Sequence, residues 1–275
     1  FVEGRMLEAK TSLDELVPEL TLRYQPDENV TYFVAYKEGW KSAGFDNGSI
    51  DSTLNANPIA DITYDPETVE GIEAGVKALL LDGTLNVEFD IYKYEYEGLQ
   101  LNFFNSATFA YRTLNADETE SEGFELQIQY LPPSIDGLGL TAAIGYNDAN
   151  YVKFSGPCYA GQKPSEGCTN QVGGLWEQSL NGSKKGLAPE LRYNLGFTYV
   201  SDIGNGLELG LVGNVKYSDE YVLRDTIPDA MQGSYHVFDA NVSVASPEAG
   251  WKLSLIGRNL NLSLIHISEP TRRYR

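Results

Sequence analysis

The sequence predicts an all-β protein, an antiparallel up-and-down transmembrane β-barrel that is incomplete here and forms an open, curved sheet. Three observations indicate this fold. Apolar and polar residues alternate with a period of two along ten segments of the chain. Most of these segments are longer than the ~5–6 residues usual in soluble sheets. Short turns and long loops alternate between them, which places all tight turns at one rim, as in outer-membrane barrels.

The composition excludes several classes of function. Hydrophobic residues make up 42% of the 275 residues, yet no run approaches the ~18 apolar residues of a membrane helix. The net charge of −19 argues against nucleic acid as a partner, because phosphate binding needs a basic face. With two histidines and two cysteines, the sequence offers no catalytic arrangement and no clustered metal ligands. We therefore expect no enzyme, no metal and no cofactor.

The alternation places the first five strands at 18–25, 30–39, 67–81, 84–98 and 119–131. Their apolar rows are Leu20–Tyr24, Val30–Tyr36, Ile72–Leu80, Leu85–Ile91 and Phe124–Tyr130. In the fourth strand the phase blurs after Ile91, where tyrosines alternate with charged residues from Tyr92 to Glu97. Either a bulge shifts the register there, or this stretch projects above the bilayer, where both faces meet water.

The second five strands are predicted at 138–153, 187–200, 207–222, 234–246 and 251–260. Their apolar rows are Leu138–Tyr146, Leu191–Tyr199, Leu207–Tyr217, Phe238–Val244 and Trp251–Leu255. The intervening residues are mostly charged, amide or glycine residues. In lipid these apolar rows face hydrocarbon, and the polar rows face a wet interior.

The connections support a barrel rather than a sandwich. Short turns with Gly, Pro, Asp or Asn are predicted at Pro26–Asn29, Asp82–Gly83, Pro132–Gly137, Ser201–Gly206 and Pro247–Gly250. The long segments between them are 40–66, 99–118, 154–186 and 223–233. A soluble sandwich has no physical reason to sort its loops in this way.

Four stretches resemble the TonB-dependent outer-membrane receptors. The first is Glu19–Phe45, whose end YKEGWKSAGF is similar to the family's Tyr–x–x–Gly–aromatic–Lys segment. The second is Pro66–Gln100, which resembles the family's Pro–Glu–Thr, Glu–x–Gly–x–Lys and Leu–Asp–Gly hairpin. The others are SEGFELQIQY at Ser121–Tyr130 and WKLSLIGRNL at Trp251–Leu260, the latter like the penultimate strand. These four stretches carry a resemblance that covers essentially Val17–Asn261.

The resemblance implies a barrel of about 22 strands with an N-terminal plug, in the bacterial outer membrane. The ten strands then correspond to the twelfth through twenty-first, and residues 1–16 to a loop or the remnant of a preceding strand. We expect the plug and the TonB box to be missing from this sequence. The expected partners are outer-membrane lipid, the TonB system through that plug, and a small ligand such as a metal chelate, bound by a monomer.

The function implied by the resemblance is active import of a scarce ligand, with an iron–siderophore complex as the default. One alternative is a passive porin-type channel, and a second is a soluble β-sandwich binding protein. Residues 262–275 are expected to be non-native, because LSLIHISEPTR at Leu262–Arg272 resembles a transposase-based sequencing adapter translated in frame.

Three groups of candidate site residues follow. Cys158 and Cys168 are expected to form a local disulfide in the oxidising periplasm. Aromatic residues of the loops and upper strands are candidates for ligand binding, with a membrane girdle or loop packing as the alternative: Trp40, Phe45, Tyr92, Tyr94, Tyr96, Tyr159 and Trp176. Charged residues of the polar rows are expected to face the lumen, where the cations among them can meet an anionic chelate: Arg23, Lys37, Lys77, Glu88, Asp90, Glu125, Arg192 and Lys216.

Overall fold

The main element of the protein is one open antiparallel sheet of ten strands. The computed structural model describes residues 10–46, 63–105, 110–172 and 175–261. In chain order the strands are β1 (Glu19–Asp27), β2 (Val30–Lys41), β3 (Gly44–Phe45), β4 (Thr63–Tyr64), β5 (Glu67–Leu80), β6 (Leu85–Asn105), β7 (Ala110–Tyr130), β8 (Leu138–Lys153), β9 (Ser155–Pro157), β10 (Asn170–Val172), β11 (Leu175–Ser179), β12 (Leu191–Gly204), β13 (Leu207–Ser218), β14 (Tyr221–Val222), β15 (Met231–Gln232), β16 (Tyr235–Ser246) and β17 (Trp251–Gly257). The sheet order is β1-β2-β5-β6-β7-β8-β12-β13-β16-β17.

This order confirms the all-β, up-and-down fold. Each strand of the sheet pairs with the next sheet strand along the chain, and all ten predicted strands are present. The short strands form small separate sheets within three of the long connections. A single 3₁₀ turn, Pro164–Glu166, is the helical element of the described residues. Within those ranges, no helix has the length and apolar character needed to cross a membrane.

Several predicted boundaries were wrong; the strand predicted at 207–222, for example, ends at Ser218. Residues 99–118 were expected to form a loop, but β6 continues to Asn105 and β7 begins at Ala110, because the cross-strand pairing persists, for example between Leu101 and Leu114. The seventh predicted strand begins at Leu191 instead of residue 187. Leu187 has a left-handed backbone (φ 60°) and its N–H donates to the carbonyl of Val222, 2.8 Å away, so it cannot extend the ladder.

The blurred phase after Ile91 is not caused by a bulge. The ladder between β5 and β6 runs without a register shift from Thr68, opposite Glu97, to Leu80, opposite Leu85. Because successive side chains alternate between faces, Lys93 follows Ile91 on the same face. The stretch therefore keeps its register and changes only its chemistry. A bulge does occur farther on, between Glu118 and Thr119 where β7 pairs with β8.

The apolar rows lie bare on one face of the sheet. Leu22 of β1 is 66% exposed, Ile91 of β6 51% and Leu255 of β17 78%. Among the described strands, none forms a second layer over this face, because the other sheets contain only two or three short strands. The soluble-sandwich alternative is wrong on this point, since a sandwich buries its apolar rows between two sheets. Exposed rows are what contact with lipid requires.

The apolar face ends abruptly toward the rim with the long connections. One row across four strands consists of Ala74, Ile91, Phe124 and Tyr146. The next row on the same face, two residues farther along, contains Lys93, Glu122 and Asp148 on β6, β7 and β8, whereas Ile72 continues it on β5. A lysine or arginine facing lipid destabilises a barrel by about 2–4 kcal/mol at the bilayer midplane and by about 0–1 kcal/mol near the bilayer surface. We place the boundary of the hydrocarbon layer between these two rows.

A small core lies beyond this boundary. The buried residues are Phe103, Ala116, Tyr151, Phe154 and Leu180, with ring centroids 5.6 Å apart for Phe103–Phe154 and 5.2 Å for Tyr151–Phe154. It joins the extended hairpin of β6 and β7 to the end of β8 and the connection that follows. The core therefore holds a long connection in place above the membrane.

The other side of this hairpin holds the connection between β2 and β5. The Gln100 side chain donates hydrogen bonds to the carbonyls of Ser42 and Asp65, at 2.9 and 3.0 Å. The Asn115 side chain donates to the carbonyl of Asp65 at 2.9 Å. Polar contacts on one face and apolar contacts on the other thus fix both neighbouring connections to the hairpin.

Candidate functional site

All the predicted lumen-facing charges share the polar face of the sheet. The register places Arg23, Asp90, Glu125 and Arg192 in one row across the strands. The remaining residues of the set, Lys37, Lys77, Glu88 and Lys216, lie an even number of residues from this row and so point the same way. This face is opposite to the one that carries Ile91.

Two of the predicted cations are already neutralised. The Lys37 ammonium lies 2.7 Å from the carboxylate of Glu73, and the Lys77 ammonium lies 2.9 Å from that of Glu88. Tyr94 also donates its hydroxyl hydrogen to Glu73. These partners leave Lys37 and Lys77 with little excess charge to offer to an anionic ligand.

The polar face over β5, β6 and β7 is acidic. A cavity of about 330 Å³ there is lined by side chains that include Glu73, Glu88, Asp90 and Glu125, with Lys77 as its one cation. Such a surface repels anions. It is therefore a poor place for an anionic chelate.

A second cavity, of about 710 Å³, lies over β12 and β13 and is cationic in character. Arg192 and Lys216 line it, together with Glu125, Tyr221 and Tyr235. Because Arg192 pairs with Ser218, Lys216 is its diagonal neighbour on the same face, and such neighbours lie about 7–8 Å apart. The two cations can therefore act on one bound group. We call this cavity the cationic pocket.

The cations of this pocket have weak partners or none. Within the described part of the chain, Arg192 makes no ion pair, and the Lys216 ammonium is 3.9 Å from the carboxylate of Asp239. Arg192 is the second residue of β12, and Lys216 lies two residues before the end of β13. Both cations are therefore near the rim with the long connections. The pocket thus lies near the rim that carries the long connections.

Two of the tyrosines that line the cationic pocket, Tyr221 and Tyr235, were not predicted as site residues. Tyr221 belongs to a two-residue strand in the connection after β13, and Tyr235 begins β16. Their aromatic character was visible in the sequence, but nothing in it placed them beside Arg192. Only the pairing of Ser218 with both Arg192 and Tyr235 brings the three strands together there.

The aromatic candidates separate into three groups. Tyr92, Tyr94 and Tyr96 lie half-buried on the polar face, where the Tyr92 hydroxyl donates to Asn147 at 3.1 Å. Trp40 is on the opposite face, because it lies six residues from Val34 in the same strand. That position suits an interfacial girdle better than a ligand site. The remaining candidates, Phe45, Tyr159 and Trp176, lie in the long connections.

The longest connection contains a disulfide between Cys158 and Cys168, with Cα atoms 5.7 Å apart. The ring it closes carries Tyr159, whose hydroxyl donates to Glu166 at 3.3 Å. Trp176 is half-exposed on the adjacent strand β11, and its carbonyl accepts the N–H of Cys158 at 3.0 Å. The covalent ring therefore positions both aromatic residues.

Comparison with known proteins agrees with this architecture. A family profile described as "TonB dependent receptor-like, beta-barrel" matches residues 4–263. The sequence is 25% identical over 229 residues to the probable TonB-dependent siderophore receptor PiuA of Acinetobacter baumannii, covering 80% of this chain and 28% of PiuA. The chain therefore spans less than a third of the length of this relative.

Solved structures show the same fold. The ferric yersiniabactin uptake receptor FyuA from Yersinia pestis superposes with a TM-score of 0.65 at 14% identity, covering 88% of this chain and 31% of that one. The siderophore receptor PiuA from Acinetobacter baumannii gives 0.60 at 23% identity, with 88% and 31% covered. Members of this family are receptors of the outer membrane and not enzymes. The chain belongs to the TonB-dependent receptor-like β-barrel family of bacterial outer-membrane proteins.

Proposed function

We propose that this chain is part of the barrel of a TonB-dependent transporter that imports an iron–siderophore complex across the outer membrane. Three observations support the proposal: the family match over residues 4–263, the similarity to the probable siderophore receptor PiuA, and a cationic pocket near the rim of the sheet. The pocket carries the argument, because its chemistry belongs to this chain itself.

The cationic pocket is suited to an anionic metal chelate. Arg192 presents a planar set of N–H donors that matches carboxylate or phenolate oxygens, and Lys216 adds a second charge. Tyr221 and Tyr235 provide flat surfaces and hydroxyl groups beside these charges. In this proposal Tyr159 and Trp176 meet the ligand first at the outer mouth, and Tyr92, Tyr94 and Tyr96, which lie on the rim side of the row that contains Arg192, line its path inward to the pocket.

Energy for import comes from outside this segment in the proposed scheme. The barrel acts as a monomer in outer-membrane lipid, and TonB contacts an N-terminal plug. The acidic cavity over β5–β7 gives the lumen an uneven charge, so a released anionic complex is not retained on that side. The family match argues against the passive porin alternative, which has no such coupling.

The test is uptake of radioactive iron, supplied as ferric catecholate and ferric hydroxamate siderophores, by cells that express the longest reading frame containing this chain. Replacing both pocket cations, Arg192→Gln with Lys216→Gln, is expected to lower affinity about tenfold or more, since hydrogen bonds to charged groups contribute about 1.5–3 kcal/mol each. The matched controls are Arg23→Gln and Lys77→Gln, which remove the same charges elsewhere on the polar face.

Two results contradict the proposal. Equal losses in the pocket variant and in the control variant show that the cationic pocket has no special role. Uptake that persists after the proton gradient is dissipated indicates a passive channel. Energy-dependent uptake that fails selectively in the pocket variant is the expected result.

A further inference from the structure

Asp225 is the point where two long connections meet. One is the β8–β12 loop, residues 154–190, and the other is the β13–β16 loop, residues 219–234. The carboxylate of Asp225 accepts a hydrogen bond from the Tyr151 hydroxyl at 2.7 Å and another from the Gly186 N–H at 2.5 Å. Among the described residues, no lysine or arginine pairs with Asp225, so these donors satisfy its charge.

Among the described residues, the Tyr151 hydroxyl has no hydrogen-bond partner other than Asp225. Tyr151 is fully buried in the small core at the end of β8. Burial and the neighbouring Asp225 carboxylate raise the pKa of Tyr151. A buried hydroxyl that loses its hydrogen-bond partner destabilises the folded state, because its lost hydration is not replaced. The core beneath the β8–β12 loop therefore depends on a residue of the other loop.

The backbone at Gly186 is shaped around the same carboxylate. A Cβ atom at this position would lie 2.9 Å from an oxygen of Asp225 and 3.2 Å from its Cγ. Both distances are shorter than an ordinary van der Waals contact, so any residue larger than glycine would displace Asp225. Glycine thus permits the close approach of the two loops here.

Further contacts continue the same junction. The side chain of Gln178, which is buried, donates to the carbonyl of Thr226 at 2.8 Å and accepts from Gln162 at 2.8 Å. Gln162 lies inside the disulfide ring. On the other side of Asp225, the Leu187 N–H donates to the carbonyl of Val222 at 2.8 Å. The junction therefore extends from the disulfide ring to the residue next to Tyr221.

We propose that Asp225 is a latch that fastens the β13–β16 loop to the β8–β12 loop, so that both loops form one body holding Tyr221 over the cationic pocket. Asp225 is a positioning residue, because it lines neither the acidic cavity nor the cationic pocket. The consequence for ligand binding rests on the proposed function, whereas the coupling of the two loops does not.

The test measures the coupling without any ligand, on the receptor purified in detergent from the longest reading frame containing this chain. Amide hydrogen exchange is compared in Asp225→Ala, Asp225→Asn, Tyr151→Phe and the control Asp229→Asn, which makes the same charge change at an exposed position of the same loop. Asp225→Ala is expected to speed exchange about tenfold or more in both loops, 180–190 and 219–232. Asp225→Asn, which keeps an acceptor, restores most of the protection.

A second readout follows Tyr221 directly. Spin labels at Tyr221→Cys and Gln127→Cys, both in the lining of the cationic pocket, report its width by pulsed electron resonance. The distance distribution is expected to be narrow with Asp225 present and to broaden in Asp225→Ala and in Tyr151→Phe. Tyr151→Phe removes only one oxygen atom and provides the test if Asp225→Ala does not insert into the membrane.

Either of two results overturns the latch. One is faster exchange confined to 219–232, which means that the loops move independently. The other is an unchanged Tyr221 distance distribution in both variants. Neither readout requires a ligand, so both remain valid if the chain does not import siderophores. Failure of the latch and failure of the proposed function are therefore distinguishable.

Discussion

Lys93 of β6 lies directly opposite Glu122 of β7, one row beyond the apolar pair Ile91 and Phe124, and their charged atoms are 3.8 Å apart. The pair marks where an uninterrupted ladder passes from hydrocarbon into water. The same two strands continue beyond it to carry the connections that form the mouth of the barrel.

This boundary predicts how arginine is tolerated along β6. Phe89→Arg places a charge in the apolar row and is expected to cost about 2–4 kcal/mol of unfolding free energy in lipid vesicles, whereas Glu95→Arg costs less than about 1 kcal/mol. Denaturant titration of the vesicle-embedded receptor measures both. Similar costs at the two positions contradict the placement of the boundary.

The disulfide is expected to stabilise its loop without supporting the sheet. Replacing Cys158 and Cys168 by serine removes a ring with a sequence separation of 10 residues, worth about 3 kcal/mol in the chain-entropy model. We predict faster proteolysis within 154–186 and an unchanged melting temperature of the barrel. Global destabilisation of the barrel would show that the ring serves the sheet as well.

Gly71 of β5 is required by the ring of Tyr94, its direct partner on β6, which lies where a Cβ would stand. Gly71→Ala is expected to cost about 1–3 kcal/mol, because the ring must move away from Glu73. In the double variant with Tyr94→Ala the two costs are expected not to add. Additive costs in denaturant titrations would mean that Tyr94 does not pack on Gly71.

The two edges of the sheet predict the behaviour of the isolated chain. Among the described strands, β1 pairs only with β2 and β17 only with β16, so both edges of this part of the chain present unpaired backbone groups. Unpaired edges recruit other strands. We expect the chain alone to form aggregates or mixed oligomers in detergent, as seen by analytical ultracentrifugation. A monodisperse monomer that unfolds cooperatively contradicts this expectation.

The period-two pattern was sufficient for the fold, because each apolar row has to meet lipid along a whole strand. All ten strands were predicted from rows such as Leu85–Ile91. The pattern fails beyond the membrane boundary, where the strand no longer contacts lipid and its apolar residues need not lie on one face. Leu99 and Leu101 continue β6, but their side chains pack against the small core that contains Phe103 instead of facing lipid.

The ligand-binding and lumen-facing roles of the candidate residues stay predictions, and the structure adds only their arrangement. The polar rows gave the correct set of residues for one face, but the sequence cannot show that Lys37 is paired with Glu73 while Arg192 lacks such a partner within the described ranges. That distinction depends on neighbours in adjacent strands. The contact between Tyr151 and Asp225 joins residues 74 positions apart, and no local pattern predicts it.

The assignment of the two faces is tested most directly by lipid accessibility along β6. Single spin labels at residues 87 to 95 are compared for collisions with oxygen, which partitions into lipid, and with a water-soluble nickel reagent. Val87, Phe89 and Ile91 are expected to collide with oxygen and Glu88 and Asp90 with nickel, with the oxygen preference ending at Lys93. Labels at Ile91 and Asp90 that respond alike would contradict the account.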